Sequence, residues 1–233
     1  MTKAPVLLRL RNGIGHLLDI PMRPMHATAG LLLIMLSLSA CKIVKTETVT
    51  TEEGQATAGL DKIAQLAEDS FAAKLLPLID TTALDIAALR SAIAADLDGA
   101  GAKHGNRGAG QGAAWTFAVK GEGVVVSANL TSRARKAELD TDGDGSADLT
   151  LLLGPVIAGT ALRDVAPFYD FGSFKDQIEF AQLARALNDK ASPALVLPEG
   201  DLTGKRLSFK GALALKSAKD AFVVTAVNVA VLP

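Results

Sequence analysis

Two places in this 233-residue chain carry residue types whose spacing specifies chemistry. The first is Cys41, the single cysteine, which closes Leu38-Ser39-Ala40-Cys41 directly behind the apolar run Ala29 to Ala40. That order is a lipobox. A signal peptidase cuts before such a cysteine, and its sulfur and freed amino group take acyl chains, which turns a soluble chain into a membrane-anchored one. The apolar run is about a dozen residues, whereas a bilayer-spanning helix needs roughly 20. The second place is Asp140-Thr141-Asp142-Gly143-Asp144-Gly145-Ser146-Ala147-Asp148. Aspartates at alternating positions, with glycine for the sharp turn, aim carboxylates at the inside of one loop. Asp140, Asp142 and Asp144, the carbonyl of Ser146 and the side chain of Asp148 together offer the hard oxygen shell that calcium takes with six to eight ligands.

This loop is not an EF-hand, whose twelfth position is a bidentate glutamate; here that position is Leu151. It is flanked by strand patterns and resembles the strand–loop–strand calcium sites of extracellular repeats. Asp-Gly pairs also form hairpin turns without any ion, so a structural calcium and a bare acidic turn both stand at this stage. A third, weaker candidate is Arg163 beside Asp164, in a stretch holding Phe168, Phe171, Phe174 and Phe180. The pair suits either an anionic ligand or a buried ion pair, since an exposed pair of charges contributes little to stability.

The elements that must position these residues follow from periodicity. Residues 1–40 read as a signal peptide, with Met22 or Met25 as the true start. Residues 41–56 are rich in Thr and Glu without periodicity and read as a lipidated tether. Residues 57–112 read as a helical hairpin followed by a glycine-rich loop. Leu60, Ile63, Ala67, Phe71 and Leu75 recur at helical spacing up to Pro77, and Ile86, Leu89, Ile93 and Leu97 mark a second helix entered through a capping box at Thr82 and Asp85. His104, the single histidine after Cys41, falls in the glycine-rich loop.

From Trp115 the period changes to two. Strands are expected on either side of a Gly121-Glu122-Gly123 turn, over Leu149 to Leu153, over Arg206 to Leu215 and over Phe222 to Val231. Residues 131–139 read as a solvated edge. A helix begins after Ser173, with Asp176 as capping-box partner, and stops at Asn188. The fold class is therefore α+β. Its parts are an N-terminal helical hairpin and, over 113–233, a five-stranded OB-like antiparallel barrel with a helix between its third and fourth strands, plugging the barrel.

Charge and motif content narrow the function classes. Residues 1–40 hold four Lys/Arg and one Asp, so the chain from Cys41 carries 20 basic and 24 acidic side chains. A net charge of −4 argues against nonspecific nucleic-acid binding, which needs a basic face. There is no second cysteine for a disulfide, no Gly-x-Ser-x-Gly elbow, no Walker loop and no His-Glu-x-x-His. The chain reads as a non-enzyme, and a hydrolase built on paired carboxylates is the least favoured alternative.

Several stretches together resemble a known family. They are Gly154-Pro155-Val156-Ile157 through Arg163-Asp164, Gln177-Ile178-Glu179-Phe180-Ala181, Ala186-Leu187-Asn188, Trp115-Thr116-Phe117, Gly204 to Gly211, and the lipobox with Cys41-Lys42-Ile43-Val44. They are similar to an uncharacterised family of predicted bacterial periplasmic lipoproteins, a domain of unknown function. The resemblance implies a lipid-anchored periplasmic protein with links to sugar ABC transport, and it brings no catalytic residues. The expectation is a binding or accessory module whose partners are the membrane, a transporter subunit and a sugar. The alternative is a structural envelope lipoprotein that docks a protein. Lys42, rather than Asp, after the cysteine favours the outer membrane.

Overall fold

The computed structural model describes residues 49–108, 112–197 and 200–233. Cys41, the signal segment and the first part of the tether lie outside them. Five strands close a barrel: β3 (Trp115–Asn129), β4 (Ala134–Asp140), β5 (Leu149–Pro155), β6 (Arg206–Leu215) and β7 (Phe222–Val231). Around the barrel β3 pairs with β4, β4 with β5, β5 with β7, β7 with β6, and β6 returns to β3. All these ladders are antiparallel except β5–β7, which is parallel. The short β1 (Leu84–Asp85) and β2 (Gly105–Arg107) add to the flank of β3.

The expected total of five strands is met, but by a different set: one strand was expected as two, and another was not expected. Gly121-Glu122-Gly123 is not a turn: β3 runs through it as one strand of 15 residues. There β3 passes from pairing with β6 (Trp115 to Val124) to pairing with β4 (Val124 to Asn129). A Cβ on Gly121 would stand 2.7 Å from Ile86 Cγ2, and one on Gly123 2.7 Å from the Asp140 carbonyl oxygen. The glycines therefore serve close approach on a bent strand rather than reversal. Residues 131–139 hold the strand β4, whose Ala137 and Leu139 are fully buried, not a solvated edge.

Strand periodicity divides the molecule into two cores. Phe117 and Val119 of β3 point into the barrel with Leu139, Leu151, Leu153, Phe209, Leu213 and Val224. On the other face of the same strands, Ala118, Ala212 and Val227 meet a helical layer. Small residues there let the helices lie close. Val227 reaches that layer as the extra residue of a bulge, because Lys210 pairs with Asn228 and Gly211 with Ala226.

The helices are present, but their partners differ from a hairpin. α1 (Val49–Ser70) continues through a π turn (Phe71–Leu75) into α2 (Leu76–Thr82). The tether read over 41–56 is thus helical from Val49. Pro77 does not stop this rod. The Leu76 N–H bonds five residues back to the Phe71 carbonyl, and Pro77 sits in the first turn of α2, where no N–H is required. α1 buries Ile63 and Ala67 in the outer core with Leu183 and Leu187 of α6 (Gln177–Ala194), and Lys190 of α6 pairs with Glu68. α3 (Ile86–Ala95) instead sends Ile86, Leu89 and Ile93 into the barrel core. The barrel plug is therefore α3, before the first barrel strand, and not the helix between the third and fourth.

Both expected capping boxes are displaced by three residues. Asp85 is itself the N-cap of α3, accepting from the Ala87 and Ala88 N–H groups. Asp176 is the N-cap of α6, accepting from Ile178 and Glu179. The start of the glycine-rich stretch is helical, within α4 (Leu97–His104), where Gly101 lets the Trp115 ring lie directly on the helix: a Cβ would meet it at 2.2 Å. α6 does not end at Asn188. That side chain is buried and donates to the carbonyls of Ile157 and Gly159, fastening the chain between β5 and α6.

Candidate functional site

The aspartate loop joins β4 to β5, and the barrel fixes both of its ends. Asp140 closes β4 and is buried. Its Oδ1 accepts from the N–H groups of Asp142 (3.2 Å) and Gly143 (2.6 Å), and its Oδ2 from Gly145 (2.9 Å). Gly143 and Gly145 adopt φ of +86° and +87°, which turns those N–H groups inward. These donors hold the Asp140 carboxyl below the ordinary aspartate value.

One carboxylate oxygen each from Asp140, Asp142 and Asp148 lies within 4.8 Å of the others. Asp144 stands outside this group. It accepts instead from the Ser146 N–H at 2.7 Å, and both residues are exposed. The structure therefore gathers three of the five predicted ligands into one oxygen-only cluster, a donor set that suits calcium. It also supplies a cation that the sequence did not reveal. Arg90 of α3 pairs with Asp148 Oδ1 at 3.0 Å and donates to the Asp148 carbonyl at 3.1 Å and to Thr141 Oγ1 at 3.2 Å. Its guanidinium lies 4.3 Å from the centre of the Phe222 ring. Part of the repulsion among the aspartates is thus relieved from within the fold.

The depressed Asp140 value has a consequence for acid stability. A carboxyl whose folded pKa lies below its unfolded one adds stability that is complete above the unfolded value of 3.8 and is lost as pH falls through the folded value. Asp140→Asn is expected to remove this contribution, so the stability difference between wild type and variant should narrow in acid titrations below that value. A constant gap from neutral pH downward would contradict it. Neither this direction nor its cause suits a general acid, which needs a raised carboxyl.

Arg163 and Asp164 form a buried clamp. In α5 (Ala161–Asp164), the Arg163 guanidinium reaches Asp164 Oδ1 through Nη2 (2.6 Å) and Nε (2.7 Å). It donates to the Phe180 carbonyl through Nη1 at 3.1 Å, with the Phe180 ring 3.6 Å away. Thr160 Oγ1 donates to the free Asp164 oxygen at 2.5 Å, and Asn106 Nδ2 to its carbonyl at 2.7 Å. All three guanidinium nitrogens are engaged, so this geometry fastens the segment before α6 to α6 itself.

A groove of about 530 Å³ opens beside the barrel. Its polar rim is Thr81 and Thr82 of α2, Lys103 and His104 at the end of α4, and Asn106 of β2; Leu78, Val165 and Pro167 supply apolar surface. His104 is exposed as expected, but it ends a helix rather than sitting in a loop. No local pattern could have assembled this groove, because its walls come from four separate parts of the chain.

With this geometry in place, comparison with known proteins gives two matches. A family model described as "Predicted periplasmic lipoprotein (DUF2291)" matches residues 31–230. An OB-fold protein (tm0957) of Thermotoga maritima, known from its crystal structure, superposes with a TM-score of 0.54 at 13% identity, over 73% of this chain and 98% of that one. At that identity the likeness shows the fold alone. No curated protein matches the chain.

Proposed function

The chain belongs to this family of predicted periplasmic lipoproteins, and on that premise we propose that it is a lipid-anchored binding or accessory module. Cys41 is its acylation site. It is the only cysteine and lies inside the matched residues. In this reading the anchor sits in the outer membrane, and the groove at Thr81, Lys103, His104 and Asn106 takes a small polar ligand. That groove carries the reading: its volume lies in the range of small-molecule sites, roughly 300–1,000 Å³, and its hydroxyl, amide and cationic groups suit a sugar or a sugar acid.

A link to sugar ABC transport belongs to the same proposal. Deletion of the gene is expected to slow growth or uptake on at least one sugar, and His104→Ala with Lys103→Ala should reproduce the defect. Unchanged uptake of every sugar tested would overturn the transport link. The second reading, a structural lipoprotein that docks an envelope protein, is favoured by the exposed Phe168, Phe171 and Ile178, the last 69% exposed. Recovery of an envelope complex without transporter subunits after crosslinking would support it.

The aspartate loop, in this account, takes calcium as a structural ion held by Asp140, Asp142 and Asp148. A ligand bound by the native state alone raises stability by about 2.7 kcal/mol at a hundredfold excess over its Kd. Millimolar calcium is expected to raise Tm relative to chelator, and Asp142→Asn to abolish the difference. Equal Tm values in the wild type would leave the loop as a turn braced by Arg90.

A further inference from the structure

A separate cavity of about 180 Å³ lies between the α1–π–α2 rod and residues 168–174. The rod lines it with Lys62, Leu66, Ser70 and Lys74, spaced by four. On a regular α-helix each step of four advances about 40°, so three steps carry a side chain some 120° around the axis. The π turn Phe71–Leu75 widens the last step and takes back part of that drift, which keeps Lys74 on the cavity. Single π turns inside α-helices occur frequently at functional sites.

The floor is polar but uncharged. Ser70 Oγ and Tyr169 Oη lie 2.5 Å apart, both buried, and Ser70 also reaches the Leu66 carbonyl. Burial pushes the Tyr169 phenol above its ordinary value, so it stays a proton donor. Ser70 has one hydroxyl proton and gives it to the Leu66 carbonyl, so the Tyr169 phenol donates to Ser70 Oγ. Phe168 and Phe174 form the apolar side, and Phe168 is 43% exposed. Among the described residues no acid lines this cavity, and neither Lys62 nor Lys74 forms an ion pair.

We propose that this cavity binds the anionic head of an amphiphile, a phosphate or carboxylate carried on an apolar body. Lys62 and Lys74, spaced along the cavity, supply the positive groups for the charge, and Phe168 and Phe174 cover the apolar part. The assignment is independent of the groove at His104. Its source is either a phospholipid of the anchoring membrane or a free fatty acid.

The chain has one tyrosine, so the acylated protein grown with 3-fluorotyrosine gives a single fluorine resonance at the cavity floor. Dihexanoyl phosphatidylglycerol below its micellar concentration, or hexanoate, is expected to shift that resonance saturably. A response to the first identifies a lipid headgroup, and a response to hexanoate alone a free acid. The double variant Lys62→Gln/Lys74→Gln should weaken binding at least tenfold, with the unliganded resonance kept as evidence of folding. Absence of a saturable shift with both probes, or a shift undiminished in the double variant, would overturn the proposal.

Discussion

Replacing Arg163 by alanine is expected to lower the stability of the domain by about 3 kcal/mol. The Arg163 side chain is 10% exposed and that of Asp164 20% exposed, at 2.6 Å separation. Removing one member of such a pair leaves the other as a buried charge without its counter-ion, which costs about 3–5 kcal/mol; the lower end applies because Asp164 keeps some solvent and its bond from Thr160. The substitution also removes the donor to the Phe180 carbonyl and the guanidinium stacked on that ring. For a domain of this size each kcal/mol moves Tm by about 2–4 °C, so a fall of about 10 °C is expected. The double variant Arg163→Met/Asp164→Leu removes both charges and should recover most of the loss, because an apolar pair of similar volume carries no desolvation penalty. Thermal and urea unfolding of the three variants check this. A single-variant loss below about 1 kcal/mol would show that the clamp is solvated, and would reopen Arg163 as a ligand contact.

The same pair shows what the sequence made legible. That Arg163 and Asp164 needed either burial or a ligand followed from their adjacency and their aromatic surroundings. Which of the two applied depended on Phe180, 17 residues away, and on Asn106, 58 residues before Asp164. Four of the five barrel strands were readable because a strand with one face in a core must alternate, as Phe117 and Val119 do against Ala118; β4, with its charged Arg135, Lys136 and Glu138, was not. The continuity of β3 through Gly121 and Gly123 was not, because glycine serves a turn and a close approach equally well. Amphipathic spacing showed that the helices around Ile63 and Ile86 each bury a face. It could not say that one would meet α6 and the other the barrel interior. The aspartate cluster was legible as a loop because its geometry is local. Arg90, 58 residues before Asp148, left no local trace.

Phe209 is where the plug, the bent strand and barrel closure meet, and its truncation is expected to have the largest effect. It is 2% exposed on β6, paired in register with Gly121 of β3, and a Cβ on Gly121 would stand 3.0 Å from its Cζ. The same point on β3 faces Ile86, the first residue of α3. The ring therefore fills the space that Gly121 leaves open, and α3 closes over both. Phe209→Ala should cost about 4 kcal/mol, the sum of lost burial and an unfilled cavity. Gly121→Ala alone should also destabilise, because its methyl group meets Phe209 and Ile86 together. In the Phe209→Ala background one of those two obstacles is gone, so the penalty for Gly121→Ala should fall by about 1 kcal/mol, a coupling that residues in direct contact show. Chemical denaturation of the two single variants and the double variant measures that coupling. Strict additivity would mean that Gly121 is required by Ile86 alone, and that the bend in β3 is set by the α3 plug rather than by closure against β6.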